Sequence, residues 1–108
     1  MTYRLLSTSA LGLIVGFAVS LVPAAAHTAL CSCYDNKDGT ILCEGGFSDG
    51  ASASGVHMVV TSKQGKVLAE GTMNKNSEFT FNKPSEDFSV KFDGGEGHQI
   101  NINASDIH

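Results

Sequence analysis

Short runs in which apolar and polar residues alternate recur along most of the chain, separated by Gly, Asn, Asp and Ser. Alternation with a period of two is typical of strands with one buried face, and Phe79 and Phe81 illustrate it. The predicted strands are Thr40–Phe47, Val56–Ser62, Lys66–Thr72, Glu78–Asn82, Phe88–Asp93 and His98–Asn103. Strands that recur about every ten residues, with turn residues between them, predict an all-β chain folded as a small β-sandwich.

The N-terminal segment, residues 1–26, has a different pattern. Arg4 precedes the continuous apolar run 10–22, and the small residues Ala24-Ala25-Ala26 follow it. This layout predicts a secretory signal peptide cleaved after Ala26, which leaves residues 27–108 as one domain. The alternative, a membrane anchor, is disfavoured because a spanning helix needs about 20 apolar residues. We therefore expect a periplasmic or secreted protein that is not inserted in the membrane after cleavage.

Cleavage after Ala26 would make His27 the first residue of the mature protein. An N-terminal histidine offers its free α-amine and its imidazole Nδ1 to one metal ion, as a chelate. The α-amine has an ordinary pKa near 8 and loses its proton easily when a metal binds. The alternative is that His27 only marks where the peptidase cuts.

Three cysteines lie near the start of the mature chain, in a predicted hairpin at residues 27–47. A three-residue loop ending at Gly39 places Cys33 opposite Cys43, close enough for a disulfide. The same register puts His27 and Cys31 on the face that carries those two cysteines. We favour a Cys33–Cys43 disulfide, because thiols outside the cytoplasm are usually oxidised. A soft metal site using Cys31 and Cys33, a Cys31–Cys33 bridge and an intermolecular bridge remain alternatives.

A second candidate ligand, His98, follows a glycine-rich loop at residues 94–97. Glycines let the backbone approach a ligand closely, and the neighbouring carboxylates of Asp93 and Glu96 are further candidate donors. His57 lies in a predicted strand, and an exposed or edge position without a ligand is the favoured interpretation for it.

Charge and motifs narrow the class of function. The eleven acidic residues and six lysines all lie after residue 26, so the predicted domain is acidic. An acidic surface without a basic cluster disfavours nucleic acid as a partner and is compatible with a cation. No serine-hydrolase, zinc-protease or phosphate-loop motif occurs, and we do not expect an enzyme.

Four motifs and His27 carry a resemblance to a known protein family. The motifs lie at residues 44–50, 59–71, 79–81 and 94–99. They resemble the small extracytoplasmic accessory component of energy-coupling-factor-type nickel/cobalt uptake transporters. The resemblance implies an immunoglobulin-like or transthyretin-like sandwich, similar to carboxypeptidase regulatory domains, with His27 and His98 as metal ligands. The Cys31-x-Cys33 pair departs from that family's pattern.

The resemblance implies a nickel or cobalt ion as the bound species and a membrane transporter component as the partner; copper and zinc remain possible ions. A non-metal structural or protein-interaction module of the cell envelope is the principal alternative. An enzyme that uses His27 to hold copper for oxidative chemistry ranks third.

Overall fold

The structure is a computed structural model that describes residues 27–108. The predicted signal peptide, residues 1–26, lies outside the described residues. Within residues 27–108, no helix is both long enough and apolar enough to cross a membrane.

Residues 27–108 fold as an all-β sandwich of two antiparallel sheets. Its elements are β1 (Ala29–Asp35), β2 (Thr40–Phe47), β3 (His57–Ser62), β4 (Val67–Thr72), β5 (Glu78–Asn82), β6 (Phe88–Asp93), β7 (Gln99–Asn103) and a 3-10 turn (Ala104–Asp106). One sheet has the strand order β1-β2-β5 and the other has the order β4-β3-β6-β7. The predicted fold class is therefore confirmed.

Three strands begin one residue later than the alternation predicts, because loop hydrogen bonds hold the residue before them. The Val56 N–H donates to the carbonyl of Ala53 at 3.1 Å, so β3 begins at His57. The His98 N–H donates to the carbonyl of Gly95 at 2.9 Å, so β7 begins at Gln99. The third is β4, which begins at Val67.

The hairpin of β1 and β2 has the predicted register. Cys33 lies opposite Cys43 and the two are joined by a disulfide. The Asn36 N–H donates to the carbonyl of Thr40 at 3.0 Å and closes the loop. Gly39 has a φ of +94°, which is the left-handed conformation that the loop requires.

Alternate side chains of both sheets meet in the core. Met58, Val60, Val90 and Phe92 come from one sheet and are fully buried, while Ile41 from the other sheet is 1% exposed. Burying each such side chain contributes about 1.5–3 kcal/mol before the entropy of ordering is counted. The core therefore holds the two sheets face to face.

The two sheets meet along β1 and β7, their edge strands. At one end of this seam, the Asp35 N–H donates to the carbonyl of His108 at 3.0 Å. Asp35 ends β1 and His108 follows β7, so the two strands run in the same direction. The residues that precede β1 and β7 consequently arrive together at the opposite end of the sandwich.

Candidate metal centre

His27 and His98 lie side by side at that end of the sandwich. Their ring centroids are 5.1 Å apart and the ring planes are inclined by 49°. His27 precedes β1 and His98 precedes β7, so the seam between the two sheets positions both rings. The structure thus brings together the two histidines that the sequence nominates as ligands, although they lie near opposite ends of the domain's sequence.

An aromatic ring supports both imidazoles. The centroid of Phe47 is 5.2 Å from that of His27 and 5.9 Å from that of His98. Phe47 in turn packs edge-on against the fully buried Phe92 at 6.0 Å. The histidine pair therefore rests on the hydrophobic core, and Phe47 limits the positions that either ring can take.

The loop before His98 is a closed turn. The Gly94 N–H donates to the carbonyl of His98 at 2.9 Å, and Gly97 has a φ of +82°. The Asp93 carboxylate accepts hydrogen bonds from the Gln99 side chain at 3.0 Å and from the Gly95 N–H at 3.1 Å. These bonds hold the pKa of Asp93 below its usual range. Asp93 thus holds the loop before His98 in place.

A third polar residue, Asp49, contacts the histidine pair. Its Oδ2 accepts a hydrogen bond from His27 Nδ1 at 2.9 Å, and its Oδ1 accepts one from the Ala51 N–H at 3.0 Å. These two bonds hold the pKa of Asp49 below its usual range. The sequence alone assigns Asp49 no role, although it lies in the motif at residues 44–50, because nothing local indicates its contact with His27.

The turn that carries Asp49 is tied to the start of the domain. The Thr28 N–H donates to Ser48 Oγ at 2.8 Å, and the Ser48 N–H donates to the carbonyl of Thr28 at 2.9 Å. Because Thr28 follows His27 directly, this pair of bonds holds the His27 backbone beside the turn. These backbone hydrogen bonds therefore keep the Asp49 carboxylate next to the His27 imidazole.

The cysteines lie elsewhere. Cys33 is joined to Cys43, so it has no thiolate to offer a metal ion, and the disulfide alternative is the one observed. Cys31 is a free thiol in the cleft between β1 and β7, lined also by Ile102 and His108. Burial raises the pKa of Cys31 to about 11. The structure does not place Cys31 with the two histidines.

His57 lies opposite Asp93 in the sheet, and its imidazole pairs with Glu70. Its Nε2 lies 2.7 Å from the Glu70 carboxylate on the outer face of the β4-β3-β6-β7 sheet, with both side chains half exposed. Its alternation with the buried Met58 and Val60 is as predicted.

The geometry of the pair is compatible with one shared metal ion. An ion in the plane of an imidazole lies about 3.2 Å from the ring centroid, so two rings on one ion have centroids about 4.5–6.4 Å apart. The observed 5.1 Å falls within that range. Among residues 27–108, no three side chains of His, Cys, Asp or Glu are already arranged to hold a metal ion. A complete site would need another donor or a movement of Asp49.

Comparisons with known proteins give no assignment. No family model matches the chain, no curated protein is significantly similar to it, and no solved structure matches its fold significantly.

Proposed function

We propose that the protein, once cleaved after Ala26, binds one divalent transition-metal ion, nickel or cobalt, in the periplasm. In this proposal it serves as an accessory component of a metal uptake system. The observation that carries the proposal is the 5.1 Å separation of the His27 and His98 rings.

Three nitrogens would form the donor set: the α-amine and Nδ1 of His27 and one ring nitrogen of His98. The α-nitrogen is an amide as long as Ala26 precedes it, so the chelate exists only after cleavage. Nitrogen-rich sites suit nickel and copper, and the order of affinities alone favours copper. In this proposal, the metal available in the compartment decides which ion is bound.

The position of the pair suits transfer of the ion to a partner. The side chain of His27 is 40% exposed, so a bound ion is accessible to the ligands of a membrane transporter component. Ligand exchange between the two proteins can then proceed without unfolding the sandwich. The acidic surface of the domain also attracts cations from solution.

Calorimetric titration of nickel and cobalt into the mature chain tests this proposal. His27→Ala and His98→Ala should each weaken binding by at least about tenfold, because each removes a direct donor. His57→Ala is the matched control, since it removes a histidine whose imidazole pairs with Glu70 rather than with the other two histidines, and it should leave the affinity unchanged. Wild-type affinity in both site variants would contradict the proposal. A non-metal β-sandwich interaction module would then be the better account.

A further inference from the structure

We propose that Asp49 is the fourth donor of the metal site, and that it exchanges its hydrogen bond with His27 for a bond to the ion. This inference rests on the proposed function and adds a ligand that the resemblance does not imply. Its basis is the juxtaposition of Asp49 Oδ2 and His27 Nδ1, which lie 2.9 Å apart. Nδ1 is the ring nitrogen that forms a chelate with the α-amine of an N-terminal histidine.

The separation of these two atoms is that of an ordinary hydrogen bond. Two donors that bind one ion at right angles through bonds of about 2.0–2.1 Å also lie about 2.9 Å apart, and donors at a tetrahedral angle lie about 3.3 Å apart. Asp49 Oδ2 would therefore have to turn towards the ion, but would not have to move away from Nδ1, to take a neighbouring position of a tetragonal site. Nickel(II) and copper(II) form tetragonal sites of this kind with nitrogen and oxygen donors.

The exchange moves one ring proton and turns the carboxylate towards the ion. In the structure, the Nδ1–H of His27 donates to the carboxylate of Asp49. When the ion binds Nδ1, this proton passes to solvent and the metal-bound neutral imidazole carries its single N–H on Nε2. The carboxylate then supplies a negative charge to the divalent ion. The other oxygen, Oδ1, keeps its hydrogen bond from the Ala51 N–H.

The backbone holds Asp49 in place for this role. The Gly50 N–H donates to the carbonyl of Phe47 at 2.8 Å, and Gly50 has a φ of +89°, so the turn after β2 is tight. The reciprocal bonds between Thr28 and Ser48 tie this turn to the His27 backbone. Phe47, which begins the turn, also packs against both imidazoles. One turn thus carries the aromatic support and the carboxylate.

Asp49→Asn tests the inference, because asparagine is nearly the same size and its oxygen still accepts the Ala51 N–H. Asp106→Asn is the matched control, since it removes the same charge from an exposed residue of the 3-10 turn after β7, at the other end of that strand from His98. Nickel affinity of the mature chain would be measured by calorimetry for both variants. We expect Asp49→Asn to weaken nickel binding by at least about tenfold and Asp106→Asn to change it by less than about threefold.

Copper(II) paramagnetic resonance of the same variants supplies a second measurement, which reports the donor atoms rather than the affinity. Loss of an anionic oxygen donor should raise the parallel g value in Asp49→Asn, while Asp106→Asn should keep the wild-type spectrum. Equal weakening by both variants with unchanged spectra would mean that only overall charge matters, and would overturn the assignment of Asp49. A wild-type mature chain that binds no nickel would instead overturn the proposed function itself.

Discussion

The imidazole ring of His27 lies against that of His98, with 5.1 Å between their centroids, because β1 and β7 run side by side. The two residues precede these strands, so the seam between the sheets determines where their rings meet. This relationship links the fold to the proposed metal chemistry. It also makes the site depend on elements that lie far apart in the sequence.

The support that Phe47 gives to both histidines leads to the first prediction. Phe47→Ala should weaken nickel binding by about tenfold, because the two rings lose the surface that restricts them. Loss of the half-buried ring should also lower the free energy of unfolding by about 2 kcal/mol. Calorimetry of nickel binding and urea denaturation measure the two effects.

Phe79→Ala provides the matched control for that variant. Phe79 is also half buried, but it stacks on Phe81 with 5.9 Å between centroids, away from the histidine pair. We expect a similar loss of stability and no loss of nickel affinity. Equal loss of affinity in both variants would show that Phe47 acts only through global stability.

The Cys33–Cys43 disulfide gives the second prediction. It closes a loop with a sequence separation of 10, and the loss of chain entropy in the unfolded state predicts a stabilisation of about 3 kcal/mol. Reduction, or replacement of both cysteines by alanine, should lower the midpoint of urea denaturation accordingly. In the Cys31→Ala variant, the reductant should lower the midpoint of urea denaturation by the same amount as in the wild type. A midpoint that the reductant does not move would contradict a stabilising bridge.

The third prediction concerns the pH dependence of Cys31. Since burial raises its pKa to about 11, the reactive thiolate should be scarce at pH 8. Alkylation by iodoacetamide should be about two orders of magnitude slower than in the urea-unfolded chain, whose thiol has a pKa near 8.5. The rate for the folded protein should keep rising about tenfold per pH unit up to pH 10. A plateau near pH 9 would mean that the thiol is not shielded.

The same raised pKa has a consequence for stability. The folded state favours the neutral thiol of Cys31, which contributes to the free energy of unfolding. This contribution is fully present below the pKa that the thiol has in the unfolded chain. It should decrease as the pH rises from about 8.5 towards 11. Denaturation of the wild type and of Cys31→Ala across this range measures the difference, and parallel curves would contradict it.

The strands and the hairpin register could be predicted from the sequence because they rest on local rules. Alternation marks the buried face of each strand, and the loop ending at Gly39 determines that Cys33 faces Cys43. The bounds of β2, β5 and β6 agree with the prediction, and β3, β4 and β7 each begin one residue later, where a loop hydrogen bond intervenes. No bounds are predicted for β1.

The composition of the site could be predicted only in part. Local features nominate His27 and His98 separately, through the cleavage site and the glycine-rich loop, and only the resemblance names them together. Nothing local indicates that β1 and β7 meet, because the packing of two edge strands depends on the whole core. Asp49 was missed for the same reason: its contact with His27 depends on the bonds between Thr28 and the turn after β2.

Native mass spectrometry of the mature protein with nickel tests whether an N-terminal His27 holds the ion. We expect a chain beginning at His27 to bind one nickel ion, and one extra alanine before His27 to abolish most of this binding by converting the α-amine into an amide. The intact mass also reports the disulfide in the same spectrum. Equal nickel binding by the two chains, or no binding by the chain that begins at His27, would show that His27 is not the ligand we propose.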